Sequence, residues 1–477
     1  MNITKGTFMF SSFRRCVFVI LSFFVVSAAI AEPLLVGHVS FSRGSIAASQ
    51  SGQTPRLLGK GSEIFQQDNI QTSERSFVMI KFVDGAKITI RPNSSFTVDH
   101  YSHDKSLKKA EMTLHKGGIR TQTGKIAENS PNAFQIKTAD SVVKAQQADY
   151  SIRLCAEKCV EENTKYPQTT SKLRPFVVAR IVEIKGLVSA SSTVNKNAPV
   201  RKLSVGSPLY NQDQLNSAKD SYALLVFRDG GRISVQESSA FNIAKYHFED
   251  KKQADHAGFS LIKGGLRALS GSIGKKDKAA YGVDTPVATI GIRGTGFDLI
   301  SAACPKAKKK QAPCLYSQVW QGLISQSNGS GDYLLAEGET NVIKDKQSGP
   351  VALKGLPGFI KALNSRPDEN QFNMQNLFGS EDIKETPFGT YVAVHKGHLQ
   401  VQSGINNPSI DLGRNEVSFV DIGSKPVRLQ QPQAFQLHDP YSLPPSFNAE
   451  NAEIGMFSLL GDTTENFGGH TFQCACD

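Results

Sequence analysis

The chain has 477 residues, 54 basic and 43 acidic side chains, and a net charge of +11. Its apolar fraction of 39% and charged fraction of 20% exclude a disordered chain, a collagen-like chain and a polytopic membrane protein. The length suits about three domains, and composition names no activity.

The N-terminus carries Lys5, Arg14 and Arg15, an apolar run from Cys16 to Ile30, small residues at Ala29 and Ala31, and then Glu32-Pro33. This order predicts a secretory signal over 1–31, cleaved after Ala31. The rival is a retained anchor, but the run is short for a span of about 20 residues. Cys16 stands at the start of the run, so a lipid-modified cysteine is not expected. Cleavage would leave a net charge of +8. No later stretch is long and apolar enough to span a bilayer.

Six cysteines follow in close pairs: Cys155 with Cys159, Cys304 with Cys314, and Cys474 with Cys476. An even count in an exported chain points to disulfides. Zinc is the rival, but the spacings are unlike paired knuckles and no histidine cluster adjoins them. Cys474-Ala-Cys476 is too tight for an easy bridge. Between Cys304 and Cys314 lie Lys306, Lys308, Lys309 and Lys310.

The chain repeats itself. Gly61-Ser-Glu-Ile-Phe-Gln-Gln-Asp68 is echoed by Gly206-Ser-Pro-Leu-Tyr-Asn-Gln-Asp213, and the frame holds through Asp84-Gly85 and Asp229-Gly230. Lys116-Gly-Gly-Ile-Arg120 is echoed by Lys263-Gly-Gly-Leu-Arg267. Ile80, Phe82, Ile88 and Ile90 alternate with other residues, as do Leu225, Phe227, Ile233 and Val235, which is the period of a strand with one buried face. Asp-Gly between two such runs marks a hairpin turn. A smaller echo links Tyr316–Ile324 to Tyr391–Leu399, read as a strand, a Gly-centred turn and a second strand. The expected organisation is a diverged first repeat over 32–168 and a second over 169–349 with a β extension. A linker over 350–387 follows, with short helices near Phe359–Leu363, then a small β unit over 388–430. The Pro-rich tail over 431–477 wraps the surface or is partly disordered.

These residues resemble the FecR-domain family. The most specific string is Thr285-Pro286-Val-Ala-Thr-Ile-Gly291-Ile-Arg293-Gly294-Thr295-Gly-Phe297; the first copy keeps only its outline, Thr138 to Tyr150. The resemblance covers about residues 33–345. It implies an all-β fold of tandem solenoid-like or sandwich-like domains in the bacterial periplasm. The best-known members relay a signal to a cytoplasmic sigma factor through a segment before a membrane span. Here only about 15 residues precede the apolar run, so direct contact with a sigma factor is not expected.

No catalytic string is present, and no cofactor or metal is expected. Gly291-Ile-Arg293-Gly294 has the wrong order for a phosphate loop and continues as a strand. Asp84 and Asp229 read as turn residues. His100, His103, His395 and His398 read as exposed loop histidines for want of a third ligand. The lysine clusters are solvated loops on the bland reading. On the functional one, Lys306 and Lys308–Lys310 contact anionic envelope polymer, glycan or lipopolysaccharide. The expectation is therefore a non-catalytic periplasmic protein that binds a periplasmic or outer-membrane protein, with polymer binding as the alternative and no nucleic acid.

Overall fold

The alternating patterns give strands almost throughout, and the fold is all-β. The structure, a computed structural model, describes residues 33–439 apart from 105–106, 129, 131, 166–175, 250–254, 278, 305–312, 361–362, 365, 405–407, 422 and 438; for residue 293 only the backbone is described. The expected signal segment, Cys474 and Cys476, and Lys306 and Lys308–Lys310 lie outside the described residues.

Two sheets carry the two repeats. The first takes the strands from Leu35 to Cys155; the second takes those from Ala179 to Leu353. Each wraps around its own core. Ile80, Phe82, Ile88, Ile90 and Phe134 are buried in the first, and Leu225, Phe227, Ile233, Val235 and Phe297 in the second. Most pairings are antiparallel. In each repeat one short strand, Phe134–Lys137 or Tyr281–Asp284, instead runs parallel to a neighbour. A short helical crossover, Lys125–Glu128 or Ser272–Lys276, makes that return possible.

The glycine pairs do not make simple turns. Gly117 and Gly264 have φ of 83° and 81°, and a Cβ on either would collide with Ser94 or Ser239. Those serine hydroxyls accept the next amide, Gly118 N at 3.0 Å and Gly265 N at 2.8 Å. In the second repeat the chain runs straight through as one strand, His256–Leu269.

The echo at 75 residues has a topological meaning. Cys314–Asn328 pairs along Thr289–Ala302 and completes the second sheet. Its counterpart Gly389–Ser403 pairs along Ser141–Cys155 and completes the first. The segment expected as a small β unit, 388–430, is thus built into the first repeat's sheet, and the second repeat lies between the two parts of the first. Gly322 and Gly397, expected at turns, sit inside these 15-residue strands at β-bulges, with φ of 80° and 88°. A bulge of this kind places one residue at positive φ, which Gly adopts without strain.

The linker also differs from expectation. Its described helix is Met374–Phe378, with Asn373 as N-cap, while residues 361–362 of the stretch expected to be helical lie outside the described residues. The tail begins as packed structure: Ala434–Leu437 is helical and buried, with Phe435 only 1% exposed. Phe435 and Leu437 pack with Tyr391, Phe419 and Cys155.

Candidate functional site

Asp84-Gly85 and Asp229-Gly230 form the hairpin turns, with Gly φ of 91° and 82°. The aspartates do more than turn the chain. Asp84 accepts from Ala86 N at 2.9 Å, Ile126 N at 3.1 Å and the Tyr101 hydroxyl at 2.5 Å. Asp229 accepts from Gly231 N at 3.0 Å, Ile273 N at 3.3 Å and the Tyr246 hydroxyl at 3.0 Å. Each buried carboxylate thus ties a hairpin to a crossover helix and a strand tyrosine. Burial pushes the Asp229 carboxyl up. Tyr101 and Tyr246 share the 145-residue spacing, a signal present in the sequence and not used.

The family string serves structure where its side chains are described. Thr285 closes a turn, donating to Ala288 O at 2.7 Å and accepting Ala288 N at 3.0 Å; Pro286 lies within it. Gly291 packs beneath Ser325. Gly294 takes φ of 65° at the bulge, Thr295 is buried and donates to Leu323 O at 2.6 Å, and Phe297 is in the core. Gly296 makes room for the Trp320 indole, whose Nε1 donates to Asp298 Oδ1 at 3.2 Å. Arg267 chelates Asp298 at 2.9 and 3.2 Å. In the first repeat Arg120 chelates Asp149 at 2.9 and 3.1 Å, with the acid two residues earlier in strand register.

The cysteine pairs Cys155–Cys159 and Cys304–Cys314 are disulfide-bonded, with Cα atoms 5.3 and 5.0 Å apart. Cys155 ends the strand Ser141–Cys155, and Cys304–Cys314 joins the end of Thr289–Ala302 to the start of Cys314–Asn328. Among the described residues no group of three or more His, Cys, Asp or Glu side chains could hold a metal ion.

The histidine expectations need correction. His100 and His103 are partly buried on the strand Ser95–His103. His395 and His398 are buried within Gly389–Ser403, 3% and 6% exposed. His395 takes the place that Trp320 holds in the second repeat, near Arg120 and Asp149. Burial, reinforced by Arg120, lowers its pKa to about 3. His398 Nε2 lies 2.9 Å from Asp411 Oδ1.

His398 and Asp411 border the junction of the repeats, where charge is concentrated. Glu416 follows the first repeat's closing hairpin. It accepts from Gly413 N at 2.7 Å, pairs with the fully buried Arg180, and lies 3.7 Å from Arg228 and 3.9 Å from Arg428. Burial alone would raise the Glu416 and Asp411 carboxyls. The surrounding arginines, and His398 for Asp411, outweigh it and hold both below the usual carboxylate range. Burial and Arg180 push Arg428 down to about 10. The spare guanidinium donors find carbonyls: Arg180 Nε reaches Leu377 O at 2.8 Å and Arg428 Nη1 reaches Asn376 O at 2.9 Å.

Beside this cluster opens a cleft of about 330 Å³, lined by Phe176, Tyr210, Arg228, Tyr246, His247 and Arg414 among others. The Arg414 guanidinium stands over the Phe176 ring at 5.5 Å, and the Arg414 amide donates to the Tyr210 hydroxyl at 2.8 Å. Burial raises the Tyr210 phenol to about 12. Aromatic walls with cationic edges suit a peptide or a planar anion. Sequence reasoning missed the cleft because its residues come from distant parts of the chain.

The FecR protein family matches residues 68–162 and 213–322. Two solved chains of a putative anti-sigma factor from Parabacteroides distasonis ATCC 8503, at 1.65 and 2.50 Å resolution, are 10% and 13% identical. Each comparison covers 29% of this chain and 58% of the solved one, with TM-scores of 0.22 and 0.23; the chain thus matches little more than half the length of those proteins. At these scores the likeness carries no argument. No curated protein matches. With one match falling in each of the two sheets, the chain carries two FecR-family regions in tandem.

Proposed function

We propose that this is a non-catalytic protein of the bacterial periplasm that binds another envelope protein and scaffolds or relays a signal through its two FecR-family regions. One observation carries the reading. The buried acids and bases described above spend their hydrogen bonds on holding turns, strands and the junction, while the open cleft offers an aromatic and cationic surface with no serine, threonine or cysteine among its described lining residues. Two disulfides fit an oxidising compartment, and a signal cleaved after Ala31 would deliver the chain there. No helix among the described residues is long and apolar enough to cross a membrane.

In-cell crosslinking with mass spectrometry tests this. A photo-crosslinker at Arg414 should capture one dominant envelope protein, and Phe176→Ala should weaken that capture. Recovery of abundant neighbours alone would overturn the reading. A second reading, polymer binding, draws support from the Cys304–Cys314 bridge, which gathers the ends of a loop bearing Lys306 and Lys308–Lys310. It predicts retention on purified cell wall at low salt and release as salt screens the charges.

A further inference from the structure

At the junction of the repeats a closing hairpin seats on the repeat that follows, and each half of that contact occurs a second time, unused. The first repeat's hairpin brings Glu416 to Arg180 and Arg228 of the second. Its Gly413 lies against Val177 and Pro208, and its Asp411 against Gly206. The second repeat's closing hairpin is the same device. Leu335 pairs with Ile324 as Leu412 pairs with Leu399. Gly338 N donates to Val319 O at 2.9 Å as Asn415 N donates to Val394 O at 2.8 Å. Glu339 Oε2 accepts from Ala336 N at 2.8 Å as Glu416 Oε2 accepts from Gly413 N at 2.7 Å. Glu339 therefore stands where Glu416 stands, and Leu334 where Asp411 stands. The surroundings differ. Ala336, Glu337 and Glu339 are exposed, Leu334 is 61% exposed, and the exposed Ala352 holds the Arg428 position.

The matching entry face is free on the first repeat. Leu35, His38, Gly61, Glu63 and Val83 hold the positions of Val177, Arg180, Gly206, Pro208 and Arg228. All five are exposed. A Cβ on Gly61 has nothing within 4 Å, where one on Gly206 would strike Asp411. Lys81 lies opposite His38 in register, on the same face of the sheet, and is exposed; Lys60 flanks Gly61. Three basic groups thus accompany one acid, Glu63. The second repeat's hairpin has the opposite balance: residues 329–343 carry Asp332, Glu337 and Glu339 and no lysine or arginine.

We propose that the closing hairpin of the second repeat docks on the entry face of the first repeat of another copy of this chain. Glu339 faces His38 and Lys81, Ala336 faces Leu35, and Leu334 covers Gly61. The occupant is a second copy because the contact continues the junction inside the molecule, where the same two kinds of surface already meet, and because the charges are opposite. Exposed ion pairs add little by themselves. Burial of Leu334, Leu35 and Val83 supplies the attraction, and the charges set the register. The two surfaces are unlike, so the contact is heterologous: it closes into a ring or runs on as an open stack of alternating repeats.

Sedimentation velocity over a wide concentration range tests this, with two doubly substituted chains. Leu334→Asp with Glu339→Lys spoils the hairpin; His38→Glu with Lys81→Glu spoils the entry face. The unaltered chain should self-associate, and each variant alone should do so at least about tenfold more weakly. Their equimolar mixture should form one-to-one dimers and stop there, since one intact hairpin and one intact face remain. Carbodiimide coupling in a mixture of isotopically light and heavy unaltered chains should join Glu337 or Glu339 to Lys60 or Lys81 between copies. A chain that stays monomeric up to about 0.5 mM would overturn the proposal. An entry-face variant that associates like the unaltered chain would also overturn it, because hairpin would then meet hairpin. So would a mixture that stays monomeric while circular dichroism shows both variants folded. Coupling confined to single chains would overturn it whatever the variants do.

Discussion

His38 and Arg180 occupy the same register position in the two repeats, opposite Lys81 and Val226 of the neighbouring strands. His38 is exposed; Arg180 is fully buried. The strand is built the same way in both cases, so the difference lies in what the position meets. Arg180 meets the closing hairpin of the other repeat, with Glu416 and two further guanidiniums. A repeat fold fixes where a side chain points, and neighbouring repeats decide whether it carries structural weight.

Four experiments would break or sharpen this comparison. The largest effect is expected for Glu416→Ala, which leaves Arg180 buried beside Arg228 and Arg428 without their acid; a loss of about 3–5 kcal/mol in chemical denaturation is expected. His38→Ala should stay within about 0.5 kcal/mol, and equal losses at the two sites would refute the distinction. Removing the Cys304–Cys314 bridge should cost about 3 kcal/mol, and removing Cys155–Cys159 about 2, because their separations are 10 and 4 residues.

The third experiment concerns His395 and Trp320. The folded-state pKa of His395 is depressed to about 3, against about 6.5 in an unfolded chain. Below pH 6.5 the unfolded state binds a proton that the folded state does not. The stability owed to neutral His395 is therefore present above that pH and falls as the pH drops toward 3. Between pH 7 and 5 the loss should be about 2 kcal/mol, and His395→Phe should remove that component. The Glu416 and Asp411 carboxyls are depressed too, so their contribution is lost at lower pH than that of His395, as the pH falls from the usual carboxylate range through their lower folded-state values. The fourth experiment is Gly296→Ala, with an expected loss of about 1–3 kcal/mol. The added methyl would push the indole off Asp298. Trp320 is the only tryptophan, so a shift in intrinsic emission reports it directly.

The repeat was legible because backbone geometry enforces it. Asp84-Gly85, Asp229-Gly230, Gly117 and Gly264 need positive φ or a close approach, and such positions leave the same letters in both copies. The 75-residue echo was legible for the same reason at Gly322 and Gly397. Its meaning was not, because a strand's sequence does not say which sheet it will join. That gap explains why a bulge read as a turn and why His395 and His398 read as exposed: both are buried by pairing with Ser141–Cys155, far away in sequence. The cleft and the junction were illegible because Arg228, Arg414 and Glu416 fit no local motif.

The insertion of one repeat within the other sets an order of assembly. Until the residues after 388 exist, the strand Ser141–Cys155 lacks the neighbour that completes its sheet, an open edge of the kind that invites wrong pairing. The second repeat needs nothing beyond Leu353 to finish its own sheet. The part of the polypeptide made first is thus the part sealed last, and a helper that shields bare β-edges would act on the N-terminal half.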